Sequence, residues 1–242
     1  MDVRRLQHSL LVVLVVFLPV FCGAVDGAAA GGGPDEALLA LLLRVQSEAL
    51  RALGPRGFDP KLYVDMPLAA AAADPGAAAA ALPLPAPSRG ELEAFLARYL
   101  APAGSDLVAA DPPDLDPAPR GFLPGVENGE ARAWALQVHA LWRNLTRRVA
   151  PGVAAQPGRH TLLPLPRTAV VPGSGYRELY YWDSYWIVRG LLVSKMYDTA
   201  REVVLNLLYL VEKYGFVLNG ARSYYTNRRL ESSTTVAASH HF

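Results

Sequence analysis

The sequence predicts an all-α fold, and three observations predict it. Apolar residues recur at steps of three and four within residues 36–53, 134–145 and 198–214, the spacing that lines one face of a helix. No alternating apolar and polar run of comparable length is present to make a half-buried strand. The helical patterns at 183–194 and 198–214 are joined only by Lys195-Met196-Tyr197, which lays them side by side as antiparallel neighbours.

In chain order, Arg4 and Arg5 precede an apolar run from Leu10 to Phe21, with Gly23 and Ala24 behind it. This is the three-part pattern of a secretory signal peptide, here residues 1–24, cleaved near Ala24. A retained membrane anchor is the competing reading, because residues 6–25 lack charge and a spanning helix needs about 20 apolar residues. Pro19 and the short apolar core favour cleavage. Residues 25–35 read as a small-residue linker whose glycines have no lysine after them to make a phosphate loop.

Pro34-Asp35-Glu36 opens a helix lined by Leu38, Leu39, Leu42, Val45, Ala49 and Leu53, which Gly54-Pro55 closes. Residues 67–89 are rich in Ala and Pro, and the break at Asp74-Pro75-Gly76 argues against one long helix. That stretch is expected to be poorly packed. Residues 91–100 read as a short helix. Residues 111–124, with five prolines, must extend or turn, because proline lacks the amide donor that a helix interior needs. From 130 to 149 the stripe Trp134, Val138, Leu141 and Leu145 predicts another helix, ended by Pro151-Gly152. In the last helix Val204, Leu207, Leu208 and Val211 line one face and Gly215 stands at the end.

A hydrophobic content of 52% against 19% charged residues places the chain among globular proteins. Much of that content is alanine in tracts at 28–30, 69–73 and 77–81, so the core-forming sequence is mainly 36–66 and 90–226. A net charge of +1, with the basic residues scattered, argues against nucleic acid as a partner and suits a neutral ligand. The single cysteine, Cys22, lies in the leader, so neither a disulfide framework nor a cysteine metal site is expected. The five histidines make no metal-ligand spacing, Gly173-Ser174-Gly175 is not a nucleophile elbow, and no dinucleotide fingerprint is present. No metal and no cofactor are therefore expected. Asn144-Leu145-Thr146 is a glycosylation sequon and agrees with secretion.

Chemistry concentrates in the run Val171-Pro172-Gly173-Ser174-Gly175-Tyr176-Arg177-Glu178-Leu179-Tyr180-Tyr181-Trp182-Asp183-Ser184-Tyr185-Trp186. Aromatic faces cover the apolar side of a pyranose while carboxylates and guanidinium groups take its hydroxyls, so such a mixture suits a sugar. On the residues alone the alternative stays open that Asp183 merely caps a helix and the aromatics are core. The run resembles the signature of the trehalase family of glycoside hydrolases, Pro-Gly-Gly-Arg-Phe-x-Glu-x-Tyr-x-Trp-Asp-x-Tyr. Three further segments resemble plant-type trehalases in the right order. They are Phe58-Asp59-Pro60-Lys61-Leu62-Tyr63-Val64-Asp65-Met66-Pro67-Leu68, Leu141-Trp142-Arg143-Asn144-Leu145-Thr146-Arg147, and Phe216-Val217-Leu218-Asn219-Gly220-Ala221-Arg222-Ser223-Tyr224-Tyr225.

The resemblance covers residues 36–228 and implies part of an (α/α)₆ barrel whose pocket holds trehalose, hydrolysed with inversion by an aspartic acid and a glutamate. It implies sugar contacts from Trp182, Asp183, Asn219 and Arg228. Asn219-Gly220 is also a good tight turn, and Arg228 is equally a solvated surface charge. Two departures stand out: Ser174 replaces the signature's second glycine, and Gly175 stands where the signature has its arginine, so a bidentate donor is missing. Beyond Arg228 the family continues Ser-Gln-Pro-Pro, whereas residues 229–242 diverge.

Twelve barrel helices need roughly 200 residues before long loops are counted, and fewer than half are found here. The reading is thus an N-terminal, incomplete part of the barrel without the reacting carboxylates, inactive alone, with no catalytic residue assigned. Its alternatives are a fragment that binds trehalose or a partner without catalysis, and a membrane-anchored helical interaction protein. The expected location is extracellular, or the plasma membrane if the leader is retained.

Overall fold

The computed structural model describes residues 36–226. The leader, the linker up to residue 35, Arg228 and the divergent tail lie outside the described residues.

Helix α1 (Glu36–Leu53) buries Leu38, Leu41, Leu42, Val45 and Ala49 and ends at Gly54, whose φ of 70° only glycine adopts freely. A 3₁₀ turn (Pro55–Gly57) leads to α2 (Pro60–Val64), where the Asp59 carboxylate accepts from the Lys61 amide as an N-cap. Helix α3 (Pro75–Ala81) follows, with Asp74 capping it and Pro75 in its first turn. Helix α4 (Arg89–Tyr99) opens on a reciprocal capping box between Ser88 and Glu91. Side chains from α1 to α4 make one core around Leu42, Val45, Tyr63, Leu92 and Phe95.

The expectation of poor packing over 67–89 is corrected here. Ala72, Ala78 and Leu82 are buried in that core, and α3 packs on α1. Alanine buries little area, but its size lets two helix backbones approach closely. The predicted break at Asp74-Pro75-Gly76 is real and serves as the start of α3.

The second half is built on α5 (Gly129–Leu145), α6 (Pro151–Ala155), α7 (Tyr181–Val193) and α8 (Tyr197–Tyr214), with a 3₁₀ turn at Pro157–Arg159 and another at Ser223–Tyr225. Strands β1 (Leu107–Ala109), β2 (Thr146–Val149) and β3 (Ala169–Val170) form a small antiparallel sheet in the order β1-β2-β3. Two to four residues per strand are too few to show an alternating pattern. The chain is therefore mostly helical, as expected, with a minor sheet that carries residue 147 and the approach to residue 171.

Helices α7 and α8 pack on each other, and Val188, Leu191, Met196, Val203 and Leu207 make the middle of the second core. Gly215 ends α8 in the left-handed region, its amide donating to the Val211 carbonyl. The proline-rich connection 111–124 forms no helix and supplies a remote cap instead, since the Asp114 carboxylate accepts from the Asp198 and Thr199 amides at 2.7 and 3.3 Å.

Three of the four residues in the stripe expected to be the buried face of α5 turn outward, with Trp134 66% exposed and Leu141 50%, while Leu145 packs against the second core. The period is right and the phase is off by one residue, because the inward positions are Ala135, His139 and Trp142. His139 Nε2 lies 2.8 Å from the Asp116 carbonyl oxygen, and Trp142 Nε1 donates to Ser194 Oγ at 2.8 Å. Gly190 makes room for Trp142, since a Cβ there would lie 2.7 Å from the indole. Leu208 on α8 likewise faces outward, its place in the core taken by Val203 and Leu210. The run predicted to end at Pro151-Gly152 ends earlier, and that dipeptide starts α6.

Candidate functional site

Three backbone segments lie side by side and fix the start of α7. The Ala221 amide donates to the Leu179 carbonyl, the Tyr181 amide to the Asn219 carbonyl at 3.0 Å, and the Ser223 amide to the Thr161 carbonyl. Tyr180 and Gly220 form a bridge between the same segments. This stitching brings Asn219, from the turn after α8, to the end of α7 that carries Trp182 and Asp183. Gly220 is required there, because a Cβ would come within 3.0 Å of the Tyr225 ring and 3.2 Å of a Glu178 oxygen.

The alternative reading of the aromatic run as core fails for its largest members. Tyr176 and Trp182 are each 57% exposed and Trp186 is 54% exposed. Asp183 is not the N-cap of α7, a position held by Tyr180 without a side-chain bond; it sits in the first turn, partly exposed. The helix N-terminus favours its negative charge. Trp182, Asp183 and Asn219 are thus all at least partly exposed around the bond from the Tyr181 amide to the Asn219 carbonyl, an edge referred to below as the rim.

Beneath the rim lies a buried cluster of charge. Glu178, Asp65 and Arg222 are inaccessible to solvent, and Asp106 nearly so. Arg222 Nε donates to Glu178 Oε2 at 3.1 Å, its Nη1 to Thr161 Oγ1 at 3.0 Å and its Nη2 to the Arg177 carbonyl at 2.7 Å. Lys61 reaches in from α2 to Glu178 Oε2 at 2.8 Å and to Asp65 Oδ1 at 3.1 Å. The Tyr224 hydroxyl donates to Asp65 Oδ1 at 3.0 Å. Asp106 stands 3.6 Å from Arg222 Nη1 and from His160 Nδ1. Arg177 Nη1 adds a longer contact of 3.7 Å to Asp65.

Three carboxylates and the three cations Lys61, Arg177 and Arg222 balance, which is the condition for keeping charge inside a protein. Burial works against the charge on Arg222, yet Asp65, Asp106 and Glu178 together hold its pKa above the ordinary value. The cluster ties the start of the chain to the aromatic run. Held by Lys61 and Arg222 and shut off from solvent, Glu178 anchors the segment that leads into α7. Lys61, Asp65 and Arg222 fall within the segments that resemble the family, but nothing in their local spacing assigns them a role.

The phenols around the cluster resist ionisation. Burial, with the Glu178 charge behind it, pushes Tyr225 up to about 12, opposed by a hydrogen bond from Asn219. The same two causes raise Tyr180 and Tyr224 further. An unfolded phenol titrates near 10, so the stability these protons supply is complete below that pH and declines as pH rises above it, with Tyr225's share gone above about 12. At about pH 11 the folded chain should therefore show less phenolate absorbance than the chain in urea. Equal absorbance in the two states would contradict this arrangement.

Among the described residues no group of three or more His, Cys, Asp or Glu could hold a metal ion. No described helix is long and apolar enough to cross a membrane.

Comparison with known proteins bears on the same residues. A profile of the family described as Trehalase matches residues 56–229, most of the chain and all of the stitched segments. The chain belongs to the trehalase family. This trehalase-family chain is 73% identical over 207 residues to a probable trehalase of Oryza sativa subsp. japonica, covering 85% of the chain and 37% of the rice protein. It is 46% identical over 198 residues to a trehalase of Arabidopsis thaliana, covering 79% and 32%. Against the trehalase of Homo sapiens it is 37% identical over 173 residues, covering 70% and 30%. The chain thus spans about a third of the length of the curated relatives it matches.

Proposed function

We propose that residues 36–228 form the part of an (α/α)₆ trehalase barrel that grips one end of α,α-trehalose, in an enzyme that hydrolyses it with inversion to two glucose molecules. The observation that carries the reading is the backbone bond that sets the partly exposed Asn219 beside the turn of α7 with the exposed Trp182 and the partly exposed Asp183, next to the buried charged cluster. The Trp182 ring supplies an apolar face for the pyranose, and Asp183 and Asn219 supply acceptors and donors for its hydroxyls. Arg228 adds a charge-assisted contact in the same reading. Rigidity below the rim lowers the entropic cost of binding.

The reaction itself needs a carboxylic acid and a carboxylate roughly 6.5–9.5 Å apart with a water between base and anomeric carbon. Asp65 and Glu178 are neutralised by the neighbouring Lys61 and Arg222, and Asp183 is assigned to binding, so no such pair is proposed within the described residues. The 242-residue chain alone should bind trehalose weakly and release no glucose from it. Calorimetry with trehalose and sucrose, beside a glucose-release assay, tests both halves: heat for trehalose in excess of sucrose with no glucose formed is expected. No heat for either sugar would end the binding reading, and glucose above the buffer control would end the claim of inactivity.

A partner-associating role is a second reading, favoured by the exposed Trp134, Val138 and Leu141 along α5. Secretion after cleavage of residues 1–24 is part of the proposal. N-terminal sequencing of chain recovered from culture medium checks it, with a start near residue 25 expected; chain that stays with membranes and begins at residue 1 would favour the anchor.

A further inference from the structure

Of the asparagines at 128, 144, 206, 219 and 227, only Asn144 has Ser or Thr two residues on, with Leu145 between and no proline in the triplet. The structure puts the two ends of this triplet in opposite surroundings. Asn144 lies in the last turn of α5 and is exposed. It continues a flank of exposed Ala133, Gln137 and Ala140, at steps of four, three and four along the helix. That flank is small or polar, and among the described residues the Asn144 side chain has no hydrogen-bond partner. A bulky polar group attached there has room to stand away from the fold.

Thr146 is the reverse. It is inaccessible to solvent, and its Oγ1 donates to the Trp142 carbonyl at 2.8 Å. The backbone around that hydroxyl is fixed from both sides of the sheet. The Val171 amide donates to the Leu145 carbonyl at 3.0 Å, and the Ala110 amide to the Thr146 carbonyl at 3.2 Å. Trp142 is in turn tied to Ser194. An exposed acceptor and a locked hydroxyl therefore share one triplet, and two parts of the lock, Val171 and Ser194, come later in the chain.

We infer that Asn144 carries an N-linked oligosaccharide, attached to the emerging chain before Val171 and Ser194 close the lock. The inference rests on the secretory reading of residues 1–24, which brings the chain to the compartment where such transfer takes place. In the transfer the Asn144 amide nitrogen gives up one proton to a base of the transferase and bonds to the anomeric carbon of a lipid-diphosphate-linked oligosaccharide. The bond from that carbon to the diphosphate oxygen breaks, and the lipid diphosphate leaves with the electron pair. The transferase reads the hydroxyl two residues after the asparagine, which is the group that folding removes from reach. Chains fold from the N-terminus as they are made, so the triplet emerges before its later partners.

The test is translation of the full chain with microsomes, followed by enzymatic release of N-linked glycan in ¹⁸O water, which turns a modified asparagine into labelled aspartate. Peptide mass mapping should find the label at position 144. A second chain, with residues 1–24 replaced by a secretory leader of proven function, is run beside it. Label in the second chain alone would support the site and refute the leader, and no label in either would overturn the inference. Asn144→Gln and Thr146→Val should each abolish the label, and Thr146→Ser should keep it. Label surviving in Thr146→Val would contradict the role given to the hydroxyl. For the timing, the folded chain purified from bacteria is offered to the transferase with lipid-linked oligosaccharide, beside a peptide of residues 139–150. The folded chain should react at least about tenfold more slowly, because its hydroxyl is reached only when α5 and β2 open locally. Equal rates would show that the fold does not lock the triplet.

Discussion

Replacing Arg222 with methionine is expected to destabilise the chain by about 3–5 kcal/mol, because it leaves Asp65, Asp106 and Glu178 buried around an apolar side chain. Lys61 and Arg177 remain, but both stand at the edge of the cluster and are partly exposed. For a chain of this size the loss corresponds to a fall of about 10 °C in the thermal midpoint. Urea unfolding followed by circular dichroism measures it. The same substitution paired with Glu178→Gln should cost less than the sum of the two alone, since the second change removes one of the charges that the first leaves uncompensated. A loss within about 0.5 kcal/mol would place Arg222 among ordinary surface charges and contradict the cluster.

That cluster was the least legible part of the molecule. Lys61 meets Glu178 across 117 residues and Tyr224 across 163, and nothing in local spacing announces such pairs. Asp65 lies four residues after Lys61, a spacing more common for a surface pair on one helix than for a link between distant segments. The helices were legible wherever one apolar face is buried. In α1 the spacing selects the buried Leu38, Leu42, Val45 and Ala49, omits the buried Leu41, and includes Leu39 and Leu53, which are only partly buried.

For α5 the spacing selected the wrong face. Burial there is set by a small Ala135, by His139 against the Asp116 carbonyl, and by a glycine on the facing helix that admits Trp142. Hydrophobicity alone ranks Trp134 and Leu141 above alanine and histidine, and only the facing surface reverses the order. The sheet was missed because its strands are stubs closed by long-range partners. The rim was half legible: Trp182, Asp183 and Asn219 stood out through the family signature, and their meeting depends on backbone bonds between segments about forty residues apart.

Replacing Trp182 with alanine is expected to reduce trehalose binding at least tenfold while leaving stability within about 0.5 kcal/mol. The ring is more than half exposed, so little packing is lost, and the pyranose loses a broad apolar face. Trp182→Phe should recover part of the affinity. Equal losses of affinity and stability would show that the indole holds α7 together and does not meet the sugar. The arginine missing at Gly175 sets the scale for what remains: a rim without that guanidinium is expected to bind weakly, and Gly175→Arg should strengthen it. Space permits the change, since nothing lies within 4 Å of a Cβ at that position.

The chain has four tryptophans, at 134, 142, 182 and 186, and each indole gives its own signal in a ¹⁵N-labelled protein. Titration of the labelled chain with trehalose should move the Trp182 indole signal and leave that of Trp134, on the outer face of α5, where it was. A Trp182 signal that stays fixed at saturating sugar would contradict the assignment of this rim to trehalose.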